Sequence, residues 1–147
     1  MLARTTSGGI FVGVRVAPES RALIRNYVAT LNLPADVKPL PPSQYHVTVI
    51  YSKQPLPIDY PLDTTPSVAR VYDVRYIGAA VALIVESRWL RWRNRVARIC
   101  GYSSEFSGVS PHLSLLYEPP PGLPVAFWKK PDFFINLAGE YQDSVKD

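Results

Sequence analysis

From residue 8 onward, the hydrophobic pattern switches between the two-residue period of strands and the 3.6-residue period of helices. GGIFVGVRV (8–16) is an aliphatic and β-branched run behind a Gly pair and predicts a strand. Ala17-Pro18-Glu19-Ser20 then supplies a helix start, with Pro tolerated in the first turn and an acid near the positive end of the dipole. Leu23, Ile24, Tyr27, Val28 and Leu31 recur at helical spacing up to Pro34. The proline-stiffened KPLPPSQY (38–45) delivers the chain into a second strand, HVTVIYS (46–52). After the Pro-rich loop KQPLPIDYPLDTTP (53–66), SVARVYDVRYIG (67–78) and AAVALIVES (79–87) predict a hairpin around Gly78. A second helix is expected from Arg88 to Cys100, closed by Gly101. The polar loop YSSEFSGVSP (102–111) leads to HLSLLYE (112–118), PPPGLP (119–124) turns, DFFINLAGE (132–140) is a last strand and YQDSVKD (141–147) a tail. That order predicts an α+β domain of two similar halves rather than alternating parallel βαβ units.

On the second helix, Trp89, Trp92, Val96 and Ile99 form one stripe, read as core anchors. Arg88, Arg91, Arg95 and Arg98 form another, and with no aromatics interleaved on that face it reads as a solvated surface. A length of 147 residues allows one domain, 1–147, with a real core, and 47% apolar against 19% charged residues is a globular balance. No stretch approaches the roughly 18 apolar residues that span a bilayer, and MLARTTSGG lacks the apolar core of a signal peptide. The expectation is a cytoplasmic protein with no membrane partner. Cys100 is the only cysteine, which excludes an internal disulfide and a cysteine metal knuckle, and it reads as packing. The net charge of +4 and pI near 9.3 are compatible with a phosphate-bearing ligand without selecting one.

The candidate chemistry lies in the two strands headed by the chain's only histidines. In HVTVIYS and HLSLLYE each His is followed by an apolar residue, a hydroxyl residue, two apolar residues and a Tyr. Residues i and i+2 of a strand share a face, so His46 projects with Thr48 and His112 with Ser114. Two imidazoles and two hydroxyls converging on one cleft suit phosphoryl chemistry without metal or cofactor. A neutral imidazole takes a proton from an attacking hydroxyl while a protonated one gives a proton to the leaving oxygen. The hydroxyls hold the non-bridging oxygens as they gain charge. Neither His has a partner at metal-ligand spacing such as H-x-x-x-H, no G-x-S-x-G elbow is present, and there is no glycine-rich phosphate loop.

The paired H-x-T and H-x-S strands resemble the two-histidine phosphoesterase superfamily. SQYHVTVIYSK, SPHLSLLYE and the terminal NLAGEY look more narrowly like the phage anti-CBASS phosphodiesterases, which degrade the cyclic oligonucleotide alarms of antiphage immunity. The resemblance implies a bilobal fold in which two antiparallel sheets flank a central cleft, with helices outside. It implies His46, Thr48, His112 and Ser114 as the catalytic set and a cyclic di- or trinucleotide with 3′–5′ links as substrate. It also implies Glu140 in a C-terminal lid, where with Tyr141 it would hold the ligand, and places Phe11 and Tyr51 where an aromatic ring could stack on a base. Three rivals remain open at this point. They are an RNA 2′,3′-cyclic phosphodiesterase or 2′–5′ ligase-like enzyme, a non-catalytic cyclic-nucleotide sponge, and a structural protein in which both strands are only packing. A long nucleic-acid partner is not required by any of these patterns, and the oligomeric state is not encoded in them.

Overall fold

The computed structural model describes residues 8–103 and 110–145. The signal-peptide reading of residues 1–7, most of the polar loop (104–109) and the last two residues of the tail lie outside them. The elements in chain order are β1 (Gly9–Val16), α1 (Pro18–Ala29), β2 (His46–Ser52), β3 (Ser67–Ile77), β4 (Ala80–Glu86), α2 (Arg88–Ile99), β5 (His112–Tyr117) and β6 (Phe133–Val145). Short 3-10 turns at Pro42–Gln44 and Val125–Phe127 complete the set. No helix among the described residues is long and apolar enough to cross a membrane.

The α+β class and the two antiparallel groups of strands are as expected, and the structure adds how they join. The strands follow one another in the order β1-β2-β5-β4-β3-β6 and close into a ring. β6 belongs to both groups: residues from Leu137 onward pair with β1, and Phe133 to Leu137 pair with β3. At the opposite seam, β2 and β5 meet through the single pair Val47 and Leu113.

One face of the sheet supplies the core. Val12, Val14, Val47, Ile50, Leu83, Leu113, Ile135 and Leu137 are all fully buried, and Ile24 of α1 and Leu90 and Ala97 of α2 pack with them. Each such aliphatic side chain contributes about 1.5–3 kcal/mol of burial. α2 is capped by the Ser87 side chain, which accepts from the Leu90 N–H at 3.2 Å. It ends where Gly101 takes a left-handed φ of 99° and the Tyr102 N–H donates to the Ala97 carbonyl.

Two expectations need correction. The stripe of Trp89, Trp92, Val96 and Ile99 is not the buried face of α2, since Trp92 is 54% and Ile99 72% exposed. The helix instead turns Leu90, Arg93 and Ala97 inward, because a buried carboxylate described below holds Arg93. Trp89 does pack against the core, its indole N–H donating to Asp63 Oδ2 at 2.8 Å, and the four stripe arginines are exposed. The tail is likewise no tail: residues 141–145 continue β6, because β1 would otherwise present an unpaired edge. Cys100 is buried as packing, its thiol directed at the Asp59 carbonyl.

Candidate active site

The Val47–Leu113 pair fixes the geometry of both motifs. These two side chains point into the core, so alternation sends His46, Thr48, His112 and Ser114 to the other face. Antiparallel register sets His46 alongside Ser114 and Thr48 alongside His112. The two histidines are then diagonal neighbours across the seam, within reach of one bound group.

Both imidazoles are held the same way. His46 Nδ1 lies 2.9 Å from the Gln44 carbonyl, and His112 Nδ1 lies 3.0 Å from the Ser110 carbonyl. A carbonyl only accepts, so each Nδ1 carries the proton and donates. Each Nε2 is thereby left to exchange a proton with a substrate, as acceptor in the neutral ring and donor in the charged one. The carbonyls are themselves fixed by their neighbours in the chain: Gln44 closes the 3-10 turn that starts at Pro42, and Ser110 precedes Pro111. His46, His112 and Ser114 are half-buried and Thr48 is exposed, so a ligand reaches all four.

β1 supplies the wall beside β2. Phe11, Gly13 and Arg15 alternate with buried Val12, Val14 and Val16 and therefore share the face of the histidines. The Phe11 ring meets His46 edge-on, with centroids 5.8 Å apart and planes at 75°. On its other side it lies 5.8 Å from the Tyr141 ring, over which the Arg15 guanidinium sits at 4.4 Å. Gly13 makes this row possible: a Cβ there would fall 2.9 Å from a Phe11 ring carbon and 3.0 Å from the Tyr141 hydroxyl. Burial pushes the Tyr141 phenol up; Arg15 opposes this, while Asp143 and Tyr117 add to it. Tyr141 therefore stays a neutral donor. Across the seam the surroundings differ, since the β4 partners of His112 and Ser114 are the fully buried Ile84 and Ala82.

Tyr51 also reaches the site face, by an irregularity that both motif strands share. Strict alternation would turn Tyr51 and Tyr117 toward the core. In β2, however, the register slips between its β1 partners Val12 and Gly13, and Val49 and Ile50 are both buried. In β5 the register slips between its β4 partners Val81 and Ala82, and Leu115 and Leu116 are both buried. Each bulge returns the tyrosine to the histidine side, 49% exposed for Tyr51 and 57% for Tyr117.

Of the residues expected from sequence, the structure gathers His46, Thr48, His112, Ser114, Phe11, Tyr51 and Tyr141 on one face, and it places Glu140 elsewhere. Glu140 is the register partner of Val14 and points into the packed side, with its side chain fully buried. Its carboxylate accepts from the Tyr60 hydroxyl at 2.5 Å, the Asp63 N–H at 2.8 Å and Arg93 Nε at 3.1 Å, and Arg93 Nη2 lies 3.0 Å away. In this structure the Glu140 carboxylate is buried among these partners, on the side away from the histidines, and not in a lid. Burial, and after it the Glu140 carboxylate, push the Tyr60 phenol far up, so Tyr60 remains the donor. Gly13, Arg15 and Tyr117 were missed from sequence. For the first two the signal was the alternation of GIFVGVRV, which shows two faces without saying which one meets the ligand. Among the described residues, no group of three or more His, Cys, Asp or Glu side chains is arranged to hold a metal ion.

A family model described as anti-CBASS protein Acb1 matches residues 8–147. Two relatives carry that name. The protein of Salmonella phage S16 is 26% identical over 146 residues, spanning 95% of this chain and 90% of its own. That of Enterobacteria phage T4 is 25% identical over 145 residues, with the same coverage of 95% and 90%. Among solved structures, TT0787 of Thermus thermophilus matches with a TM-score of 0.64 at 15% identity, over 93% of this chain and 94% of that one. E. coli LigT, crystallised with 3′-AMP, matches with a TM-score of 0.57 at 14% identity, again over 93% and 94%. These two structures speak to the fold, which this chain shares with LigT.

Proposed function

This chain belongs to the anti-CBASS Acb1 family, and from that premise we propose that His46 and His112 are the acid–base pair of its reaction. The protein is a phosphodiesterase that degrades cyclic oligonucleotide signals. The finer reading concerns how it does so. The scissile phosphate sits between the rings, with Thr48 and Ser114 donating their hydroxyls to its non-bridging oxygens. One neutral imidazole accepts the proton of a ribose 2′-OH at Nε2 as that oxygen attacks the adjacent 3′-phosphorus. The other, protonated, gives its Nε2 proton to the departing 5′-oxygen. The P–O5′ bond breaks, a 2′,3′-cyclic phosphate forms, and water then opens it with the two roles exchanged.

The observation that supports this most is the matched pair of Nδ1–H bonds, each to the carbonyl two residues upstream, which leaves both Nε2 atoms for substrate. No step calls for a metal. The site opens on the compartment in which the messenger is made, the cytoplasm of the infected host.

Incubation with a panel of 3′–5′ cyclic di- and trinucleotides and a linear RNA 2′,3′-cyclic phosphate tests the reading. The expected result is linearised product with at least one cyclic nucleotide, undiminished by EDTA, and a bell-shaped pH profile. His46→Ala and His112→Ala should each lose about 10²- to 10⁴-fold in rate. Turnover that needs added Zn²⁺ or Mg²⁺ would overturn the mechanism. Cleavage of only the linear RNA end would move the protein to RNA-end processing, and tight binding without product would make it a sponge.

A further inference from the structure

A phosphodiester ring contains as many phosphates as nucleotides, and the two motifs accommodate one of them. A cyclic dinucleotide therefore brings a second negative charge into the cleft, a trinucleotide two more, and none of these is consumed in the first cleavage. Among the described residues, the strands that carry and flank the motifs, β1, β2 and β5, hold one Lys or Arg suited to that charge. Arg15 is the register partner of His46, so it rises from the same face on the adjacent strand. It is exposed, and it forms no ion pair with any described carboxylate. Two arginines elsewhere in the sheet are already committed, Arg75 to Asp73 at 2.7 Å and Arg70 to Asp132 at 3.1 Å.

Arg15 is also held in place. Its guanidinium lies 4.4 Å from the Tyr141 ring centre, and Tyr141 leans on Phe11, which leans on His46. A guanidinium stacked on a ring keeps its N–H edge free, and that edge matches two phosphate oxygens at once. Stacking thus limits the side-chain freedom lost on binding. The pseudo-symmetry of the motifs is broken at this point, because the corresponding partner of His112 is buried, apolar Ile84.

We propose that Arg15 binds a phosphate of the cyclic substrate other than the one being cleaved, and so sets the preference for a ring over a single phosphodiester. This rests on His46 and His112 being the cleaving pair. Arg15 acts in ground-state binding and takes no part in proton transfer.

The test compares two substrates on the wild-type protein, Arg15→Gln and Arg15→Lys: the cyclic dinucleotide that wild type cleaves best, and a linear dinucleoside monophosphate, which has one phosphate only. Arg15→Gln should raise KM for the cyclic substrate about 10- to 100-fold with kcat little changed, and should flatten the salt dependence of that KM. Arg15→Lys should recover part of the loss, because charge is kept and the paired N–H edge is not. Turnover of the linear substrate should be the same in all three proteins. An equal loss on both substrates would place Arg15 at the scissile phosphate, and no loss on either would leave it a solvated side chain; both results overturn the proposal. A wild-type protein that cleaves no cyclic nucleotide would instead refute the proposed function.

Discussion

A methyl group on Gly13 would stand 2.9 Å from the Phe11 ring and 3.0 Å from the Tyr141 hydroxyl, so Gly13→Ala must displace one ring or the other. Phe11 is the edge that braces His46, and Tyr141 is the surface that carries Arg15. The expected outcome is a protein that melts within a few degrees of wild type and has kcat/KM lowered about 10-fold or more, given how steeply rate falls with misplaced groups. Thermal melting and steady-state kinetics on one preparation check it, and unchanged kinetics would show that the row of rings is not coupled to catalysis. At this scale the sequence was informative where a residue type is rare and repeated. Two histidines with matched followers announce themselves. Gly13 and Arg15 do not, because a glycine or an arginine in a strand has many ordinary uses, and only the three-dimensional row gives these two a specific one.

Elements were legible where one rule governed them and shifted where two competed. β2 was readable to the residue, since proline-stiffened approaches and β-branched alternation agree there. α2 was readable in extent and wrong in orientation, because hydrophobicity ranks Trp92 and Ile99 above Arg93 as core residues while the buried Glu140 carboxylate demands a cation. Removing that cation leaves the carboxylate uncompensated, so Arg93→Ala should cost about 3–5 kcal/mol of stability. Arg93→Ala with Glu140→Gln should cost less than the sum of the two single changes, as urea titrations would read. The 53–66 loop is tied down beside this pair. The Thr65 hydroxyl, the Thr65 N–H and the Trp89 indole N–H, in that order, hold the Asp63 carboxyl down at about 2. A carboxyl lowered on folding stabilises above its unfolded value and loses that contribution as pH falls through its folded one. The stability gap between wild type and Asp63→Asn should therefore be full at neutral pH and close between about pH 4 and 2. Urea midpoints across that range measure it, and a gap constant with pH would mean that the carboxylate charge adds nothing.

At the scale of the whole molecule, the sequence reading had the two halves and lacked their joints. The lid expected around Glu140 and Tyr141 dissolves into β6, so deleting residues 139–145 removes much of a strand from the sheet instead of uncovering a cleft. Which strand bridges two sheets is a matter of long-range pairing, and a local pattern holds no trace of it. That same strand has a consequence in time. β1 begins at Gly9 and its partner β6 ends at Val145, so the sheet pairs nearly the first described residues with nearly the last. Pairings this distant along the chain must meet the entropy of closing almost the full length before they gain anything, which places folding on the scale of milliseconds to seconds rather than microseconds. A nascent chain has His46 long before it has Tyr141, and a ribosome adding about 5–20 residues per second imposes a delay of several seconds between them. Catalytic competence should thus arrive in one step, once β6 has paired with β1. In refolding experiments, recovery of phosphodiesterase activity should coincide with the slowest fluorescence phase, and activity that returns ahead of that phase would show that the site assembles without β6.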